Sequence, residues 1–257
     1  MASLAVFDFD RTVVLDDSDA TIINKLKENK PPPEWETTNQ DWTPYMSDVF
    51  EHAFTAGLHQ EDILDCIATM RPTPGIQQLI TRLAREGWDI LVVTDANSVF
   101  VQHWFKVHGL LDSITSIITN RAFFQSGRLY IEPCMRQTAC PRCPTNLCKS
   151  LALAQWCANH SYDRIVYVGD GRNDYCPATN LPVNFWPKIF RQLRIRGQAV
   201  FAHEPIRTRR VRAGTARRGD KEGRGQATAA LERRSFKSIC EIDPSATTVD
   251  LTANTIL

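Results

Sequence analysis

A short apolar segment near the start of the chain ends on two carboxylates, and this combination most constrains the fold. Residues 4–9 (LAVFDF) are apolar except for Asp8, and Asp10 follows directly. An apolar run without polar alternation is typical of a strand buried on both faces of a parallel sheet. Two acids at the end of such a strand repel each other. They are therefore either solvated loop acids or neighbours of a positive charge.

Two further apolar runs also end on polar groups. Residues 88–94 (WDILVVT) precede Asp95, and residues 164–168 precede a GDG turn that contains Asp170. The carboxyl ends of parallel strands meet at one edge of the sheet, so these acids should cluster there. Clustered carboxylates need a cation, and hard oxygen ligands favour Mg²⁺ over zinc.

Helical segments separate the strands, and this alternation sets the fold class. A further strand is predicted at 114–119, and amphipathic patterns predict helices at 76–85, 99–108 and 145–158. Strands that alternate with helices form parallel sheets with helices on both faces. We therefore predict an α/β fold with a doubly wound parallel sheet.

A mostly helical block separates the first two strands of the sheet. It spans residues 17–73, with helical patterns at 19–27 and twice within 44–70. We expect this block to form a small helical cap inserted after the first strand and lying over the site. The catalytic core would then comprise residues 1–16 and 74–187.

Residues 188–257 differ in composition from the rest of the chain. Between residues 188 and 238 there are fifteen Lys or Arg and four Asp or Glu. With little apolar periodicity, this basic tail is predicted to be poorly ordered. Basic segments can bind nucleic acid through its phosphates. Because the tail has almost no aromatic residues and no folded reader, we expect no nucleic acid partner.

Two further features bear on the compartment. No run of eighteen apolar residues is present, and the first residues show no basic or cleavable leader. We therefore expect a cytoplasmic protein with no membrane partner.

Eight cysteines occur in the chain, and we expect most of them to be reduced. The spacing Cys140-x2-Cys143-x4-Cys148 could bind zinc, with Cys134 as a possible fourth ligand. Because a second CxxC pair is lacking, the sequence favours instead a packed loop that presents Lys149.

Four motifs, in this order, resemble those of the haloacid dehalogenase-type phosphatases: DFDRT at 8–12, Thr94-Asp95, Lys149 and GDGRND at 169–174. Three further stretches, SD at 18–19, TDAN at 94–97 and CPRCPTNLCK at 140–149, are similar to the PHOSPHO-type branch of that superfamily. This branch includes phosphoethanolamine/phosphocholine phosphatases and pyridoxal phosphate phosphatases. The resemblance covers residues 4 to about 180 and implies a haloacid dehalogenase-like Rossmannoid core.

The resemblance also implies catalytic roles. Asp8 would be the nucleophile that forms an aspartyl-phosphate. Asp10 would protonate the leaving alkoxide and then deprotonate the hydrolytic water. Thr94 would hydrogen-bond the phosphoryl oxygens, and Lys149 would offset charge on the nucleophile and phosphate. As alternatives, Thr94 is simply the last residue of a strand and Lys149 a surface lysine on a helix.

A metal site follows from the same resemblance. Mg²⁺ would be bound by Asp8, by the backbone carbonyl of Asp10 and by Asp170, while Asp174 would ligate the ion or hold its water shell.

Two acids outside the phosphoryl-transfer set bear on the substrate. The resemblance implies that Asp19 and Asp95 receive the cationic head group of a phosphorylated amine, and opposite charges make this sensible. For Asp19 there is an equally good alternative, an acid placed at a helix N-terminus by the helix dipole.

The function implied is a Mg²⁺-dependent phosphomonoesterase that hydrolyses phosphoethanolamine or phosphocholine, so its partner would be a small phosphomonoester. Pyridoxal 5′-phosphate is the main alternative substrate, and thiamine-type or pyrophosphate substrates stay open. From another class, the chain could be an inactive phosphatase scaffold that acts as a binding protein. The complete set of motif residues argues against that alternative.

Overall fold

A computed structural model describes residues 2–28, 30–35, 38 and 41–180, together with the strands at 188–195, 198–205 and 241–242. The helices are α1 (Ser18–Lys27), α2 (Trp42–Thr55), α3 (Gln60–Ala68), α4 (Ile76–Arg85), α5 (Ser98–Val107), α6 (Lys149–Asn159) and α7 (Tyr175–Thr179). The strands are β1 (Ser3–Phe7), β2 (Asp89–Asn97), β3 (Ser116–Gln125), β4 (Arg128–Glu132), β5 (Arg164–Val168), β6 (Lys188–Ile195), β7 (Gln198–Pro205) and β8 (Glu241–Ile242).

The strands form one mixed sheet with a parallel centre. Their order is β4-β3-β2-β1-β5-β7-β6, and β8 pairs with β3 outside this path. The pairs β3–β2, β2–β1 and β1–β5 are parallel, whereas β4, β6, β7 and β8 pair antiparallel with their neighbours. Strand β1 thus lies between β2 and β5, which places its carboxyl end at the middle of the parallel edge.

Both faces of the sheet are covered, as the apolar strands predict. Phe7 and Val92 belong to an apolar cluster that contains residues of α1 to α5. Val6 and Leu91, one residue earlier, belong to a second cluster that includes Trp156 of α6. Because successive strand residues point to opposite faces, this alternation shows helices on the two sides. The predicted doubly wound α/β fold is confirmed.

The helices α1, α2 and α3 lie between β1 and β2 in the chain, and their two connections to the sheet run side by side. The Leu15 N–H donates to the Arg71 carbonyl at 2.8 Å, and the Thr73 N–H to the Val13 carbonyl at 2.9 Å. The Asp16 carboxylate also accepts from the Arg71 backbone and guanidinium. We propose on this basis that residues 17–73 form the inserted cap and that 1–16 and 74–187 form the core.

Two local predictions were wrong. Strand β3 runs on to Gln125 and forms a hairpin with β4. Ser126 and Gly127 form the turn, and their positive φ values of 50° and 82° are those that a two-residue hairpin turn requires. Helix α6 begins at Lys149 rather than at residue 145. Cys148 is extended, and the Thr145 carbonyl accepts from the Gln137 N–H, so these residues belong to a loop.

The sequence predicted no strand after residue 187, but β6, β7 and β8 lie there. The basic tail was predicted over residues 188–257. Its residues outside these three strands are not among the described ones, so their poor order stays a prediction. In the part of the chain that the structure describes, no helix has both the length and the hydropathy needed to cross a bilayer.

Candidate active site

The carboxyl edge of the parallel strands carries most of the predicted residues. Asp8 directly follows β1, and its N–H donates to the Val168 carbonyl of β5 at 2.9 Å. Asp170 lies two residues beyond the end of β5, and Thr94 lies within β2. Strand β1 is bonded to both β2 and β5, so the three strand ends meet beside Asp8. The strand-end rule used on the sequence therefore holds.

A buried lysine joins two of the acids. The Lys149 Nζ atom lies 2.8 Å from Asp8 Oδ1 and 2.9 Å from Asp174 Oδ1. Its side chain is 1% exposed, which rules out the surface-lysine alternative. Burial alone lowers the pKa of Lys149, but the charges of Asp8 and Asp174 outweigh this and raise it above its usual value. The ammonium is thus held in its charged form.

Asp8 is positioned with one oxygen engaged. Its Oδ1 atom accepts from the Phe9 N–H at 2.7 Å as well as from Lys149. Among the described residues no hydrogen bond reaches its Oδ2 atom, which leaves that oxygen available for attack. Burial raises the pKa of Asp8, and Lys149 opposes this shift. The lysine therefore favours the ionised carboxylate that a nucleophile requires.

Asp174 is fixed by three groups. Its Oδ1 atom accepts from the Tyr167 hydroxyl at 2.6 Å in addition to Lys149, and its Oδ2 atom accepts from the Gly171 N–H at 3.0 Å. A Cβ atom at Gly169 would overlap the Asp174 carboxylate, so the first glycine of the GDG turn is required by this close approach.

The acids fit a divalent cation. One carboxylate oxygen each from Asp8, Asp170 and Asp174 lies within 4.8 Å of the others. Burial and the charge of Asp174 raise the pKa of Asp170. Lys149 and Arg11 offset only part of the charge of these three carboxylates, so a hard cation bound by oxygen ligands would relieve the remaining repulsion. Since both Asp174 oxygens already accept hydrogen bonds, Asp174 suits the water shell better than direct ligation.

Asp10 is held by the start of the cap. Its Oδ1 atom accepts from the Ser18 N–H at 2.8 Å, and its Oδ2 atom from the Ser18 hydroxyl at 3.0 Å. Burial raises the pKa of Asp10 well above its usual value, with smaller contributions in the same direction from Asp17 and Asp19. A raised pKa favours the protonated carboxyl, which is the form that a general acid requires.

Thr94 is fully buried and its hydroxyl accepts from the Ala96 N–H at 3.3 Å. Strand β2 continues to Asn97, so Thr94 is not the last strand residue.

A cavity of ≈ 590 Å³ opens beside these groups. Its lining is acidic, with five carboxylates, Asp10, Asp17, Asp19, Asp95 and Asp170, against the two guanidinium groups of Arg11 and Arg172.

Asp16 and Asp17 already have partners. Asp16 pairs with Arg71, while Asp17 caps α1 through the Ala20 N–H and pairs with Arg11 at 3.3 Å. Neither is available as a main contact for a substrate. Outside the residues predicted for catalysis and metal binding, this leaves Asp19 and Asp95 as the candidates in the cavity lining to receive a positive charge of the substrate.

Asp19 lies at the start of α1 but does not cap it. It is 5% exposed, and its Oδ2 atom accepts from the indole Nε1 of Trp42 at 2.7 Å. Its Oδ1 atom is buried without a hydrogen-bond partner among the described residues. Burial raises the pKa of Asp19 to about 7, although the Trp42 hydrogen bond opposes the shift. Asp17 caps α1, while Asp19 lies in the first turn of the helix, so the helix-dipole alternative for Asp19 stays open.

Asp95 is half-buried and also lines the cavity. Both of its oxygens lie 3.3 Å from the Asn173 amide nitrogen, and its backbone carbonyl accepts from the Asn120 amide at 2.7 Å. Asn120 also contacts Asn146, which donates to Thr43 of α2 at 2.9 Å. This chain of amides links the strand that carries Asp95 to the cap.

Four residues donate side-chain hydrogen bonds to the predicted carboxylates but were given no role from the sequence: Ser18, Trp42, Tyr167 and Asn173. Ser18 and Asn173 stand inside the quoted motifs, so their positions offered a signal. Trp42 and Tyr167 offered none, because their contacts depend on how the cap and β5 are placed.

Residues 3–186 match the model of a family described as Putative Phosphatase. The pyridoxal phosphate phosphatase PHOSPHO2 of Rattus norvegicus is 35% identical over 194 residues, covering 72% of this chain and 80% of the relative. The phosphoethanolamine/phosphocholine phosphatase of Homo sapiens is 28% identical over 184 residues, 68% of each protein. A solved phospho-aspartyl intermediate analogue of phosphoserine phosphatase has a TM-score of 0.48 at 19% identity, over 70% of this chain and 83% of that chain.

The chain belongs to this putative phosphatase family, since the family model covers most of its length and the rat relative is also similar over most of both proteins. It is a hydrolase that acts on phosphate esters. The enzyme prediction is confirmed, and the alternative of an inactive scaffold is set aside.

The buried carboxylate of Asp19 should cost folding stability at high pH. The pKa of this group is about 7 when folded, above its ordinary value of 3.8, so the folded state binds more protons than the unfolded state between these pH values. Stability is therefore lost as pH rises through this window, and the loss is complete above pH 7. Asp19→Asn, whose amide oxygen still accepts from Trp42, should stabilise the protein at pH 8 by on the order of 2–4 kcal/mol, and by much less at pH 4.

Urea unfolding of both proteins at a series of pH values measures this difference. Asp65→Asn, the same change at an exposed position of α3, is the control and should change stability by about 0.5 kcal/mol or less at every pH. An Asp19→Asn effect that does not vary with pH would contradict the assigned burial cost.

Proposed function

We propose that this phosphatase is a Mg²⁺-dependent phosphomonoesterase that hydrolyses a small phosphorylated amine through a phosphoryl group carried by Asp8. The observation that carries the proposal is the buried contact of Lys149 with Asp8 and Asp174. This contact lies beside Asp170, which lines the acidic cavity.

In the first step Asp8 Oδ2 attacks the phosphorus. The new bond joins this oxygen to phosphorus, and the bond between phosphorus and the ester oxygen breaks. Lys149, on the other Asp8 oxygen, holds the carboxylate in place and offsets negative charge. Thr94 is proposed to donate its hydroxyl to a phosphoryl oxygen.

Asp10 moves the proton in both steps. Its carboxyl group, whose pKa is raised, donates a proton to the leaving alkoxide, so the free alcohol departs. The resulting Asp10 carboxylate then takes a proton from a water molecule that attacks the phosphorus of the aspartyl-phosphate. This second displacement releases inorganic phosphate and restores Asp8. Ser18 orients Asp10 through its two hydrogen bonds.

Asp8 and Asp170, together with the Asp10 backbone carbonyl, are the groups proposed to hold Mg²⁺, and Asp174 is proposed to orient its water shell. When bound, Mg²⁺ neutralises phosphate charge and aligns the ester for in-line attack.

The acidic cavity supports an amine substrate. Asp19 and Asp95 both line it, and the charge of Asp95 helps to raise the pKa of Asp19. Asp19 is buried at a cost and has an oxygen without a partner. An ammonium placed between these carboxylates would satisfy that oxygen and lower the repulsion. Phosphoethanolamine carries such an ammonium close to the phosphate, whereas the quaternary ammonium of phosphocholine has no N–H and would lower the repulsion without a hydrogen bond.

Pyridoxal 5′-phosphate is the second candidate. The Trp42 indole lines the cavity, and an aromatic wall can contact a pyridine ring. The rat relative is also named for this substrate.

Asp8→Asn should abolish turnover while the fold stays intact, because an amide oxygen is a poor nucleophile. EDTA should also stop hydrolysis by the unchanged protein, and added Mg²⁺ should restore it. Phosphate release from a panel of phosphoamines and pyridoxal 5′-phosphate measures both effects. If the Asp8→Asn variant has a normal circular dichroism spectrum and still turns over substrate, the assignment of Asp8 as the nucleophile is refuted.

Asp95→Asn should discriminate between amine and neutral substrates. We expect the KM for phosphoethanolamine to rise by roughly tenfold or more, because a charge-assisted contact is lost, while the KM for ethyl phosphate changes little. Asp65→Asn serves as the exposed control. Equal losses on both esters would remove the head-group role of Asp95 but leave the phosphatase mechanism in place.

A further inference from the structure

Four cysteines outside the phosphoryl-transfer set come together beside it. The Sγ atoms of Cys140, Cys143, Cys148 and Cys176 all lie within 4.8 Å of one another, and those of Cys140 and Cys176 are 3.6 Å apart. None of the cysteines in the described residues forms a disulfide. Four sulfurs around a tetrahedral zinc at about 2.3 Å are about 3.8 Å apart, close to this spacing.

We propose that these cysteines bind one structural zinc ion, which ties the loop before α6 to α7. The sequence favoured a packed loop over zinc and named Cys134 as the possible fourth ligand. The structure instead brings Cys176 into the group. Cys134 packs with the apolar cluster on the α6 face of the sheet. Cys176 completes the four-thiolate set that the single CxxC pair lacked.

The loop is built to present its sulfurs. The Gln137 side-chain oxygen accepts from the Cys140 N–H at 2.7 Å. Its amide nitrogen donates to the carbonyls of Cys140 and Cys143, each at 3.3 Å, and to that of Pro144 at 2.6 Å. The side-chain amide of Gln137 thus closes the turn formed by residues 140–144 (CPRCP). The two sulfurs of this CxxC pair are thereby held on the same side of the loop.

A hydrogen-bond donor also points at one of the sulfurs, since the Asn180 side-chain amide donates to the Cys176 sulfur at 3.5 Å. Groups that donate to ligand atoms orient them and stabilise their negative charge, as around bound metals. Thiolates favour zinc, whereas the carboxylates of the neighbouring site favour Mg²⁺, so the two ions would not compete.

The position of the cluster gives the ion a role. Cys148 directly precedes Lys149, and Cys176 follows Asp174 by two residues. A zinc ion shared by these cysteines would fix the two chain segments whose side chains meet at 2.9 Å in the buried ion pair. The cysteines would be positioning residues, and this part of the inference rests on the proposed function. Zinc binding itself does not depend on it.

Metal analysis of the full chain, purified without a metal-chelating tag, tests the site. We expect about one zinc ion per chain by mass spectrometry of the elements, and an X-ray absorption spectrum with sulfur neighbours at about 2.3 Å. Protein exchanged with Co²⁺ should show the intense near-ultraviolet charge-transfer band of thiolate ligands. Zinc that is absent, or that has oxygen and nitrogen neighbours, would overturn the proposal.

Variants locate the ion. Cys143→Ser and Cys176→Ser should lose the bound zinc and unfold at a lower temperature, since structural zinc contributes to folding. Cys157→Ser, a half-buried cysteine outside the cluster, should retain both zinc and melting temperature. Asp8→Asn should also retain zinc, which separates this site from the carboxylates. If the cluster variants do not fold, the X-ray absorption and Co²⁺ spectra of the unchanged protein decide whether the four sulfurs bind the ion.

A disulfide is the competing outcome. Free-thiol counting of the unfolded chain, in the absence of reductant, should find the four cysteines reduced. A bond between Cys140 and Cys176 would contradict the proposal. Loss of zinc with full phosphatase activity would remove only the positioning role, whereas an inactive chain that holds zinc on four sulfurs would contradict the proposed function alone.

Discussion

The Lys149 ammonium lies between the carboxylates of Asp8 and Asp174, out of contact with water, and this ion pair sets the arrangement of the site. Burying charges costs free energy that is recovered only when each has its partners, and removing one partner costs about 3–5 kcal/mol. The three residues come from the end of β1, the start of α6 and the turn after β5. The pair therefore holds sheet, helix and loop in one geometry.

The cap adds a second group of acids under a different constraint. Asp19 is buried at a raised pKa of about 7, with only the Trp42 indole as a hydrogen-bond partner among the described residues. Such a carboxylate weakens the fold, and strained or destabilised groups are typical of functional positions. Asp10 is held by Ser18 at the first turn of the same helix. The segment that is proposed to select the substrate would thus also position the proposed proton donor.

Much of the site could be predicted from the sequence, because strand ends place their acids by a topological rule. Asp8, Asp170 and the α/β fold follow from buried apolar runs that end on polar groups. The turn at Ser126 was missed because its signal is short. Trp42 and Cys176 could not be predicted, since their partners lie far away in the chain. Contacts of that kind depend on packing between elements, which local patterns do not contain.

The central claim is that Asp8 carries the phosphoryl group, and trapping it is the most direct measurement. The protein is mixed with Mg²⁺ and its best substrate, quenched in acid and analysed by mass spectrometry after digestion. We predict a phosphoryl group on the peptide of β1, located on Asp8 and lost in Asp8→Asn. A phosphoryl group on another residue, or rapid turnover without any phosphorylated peptide, would contradict the account.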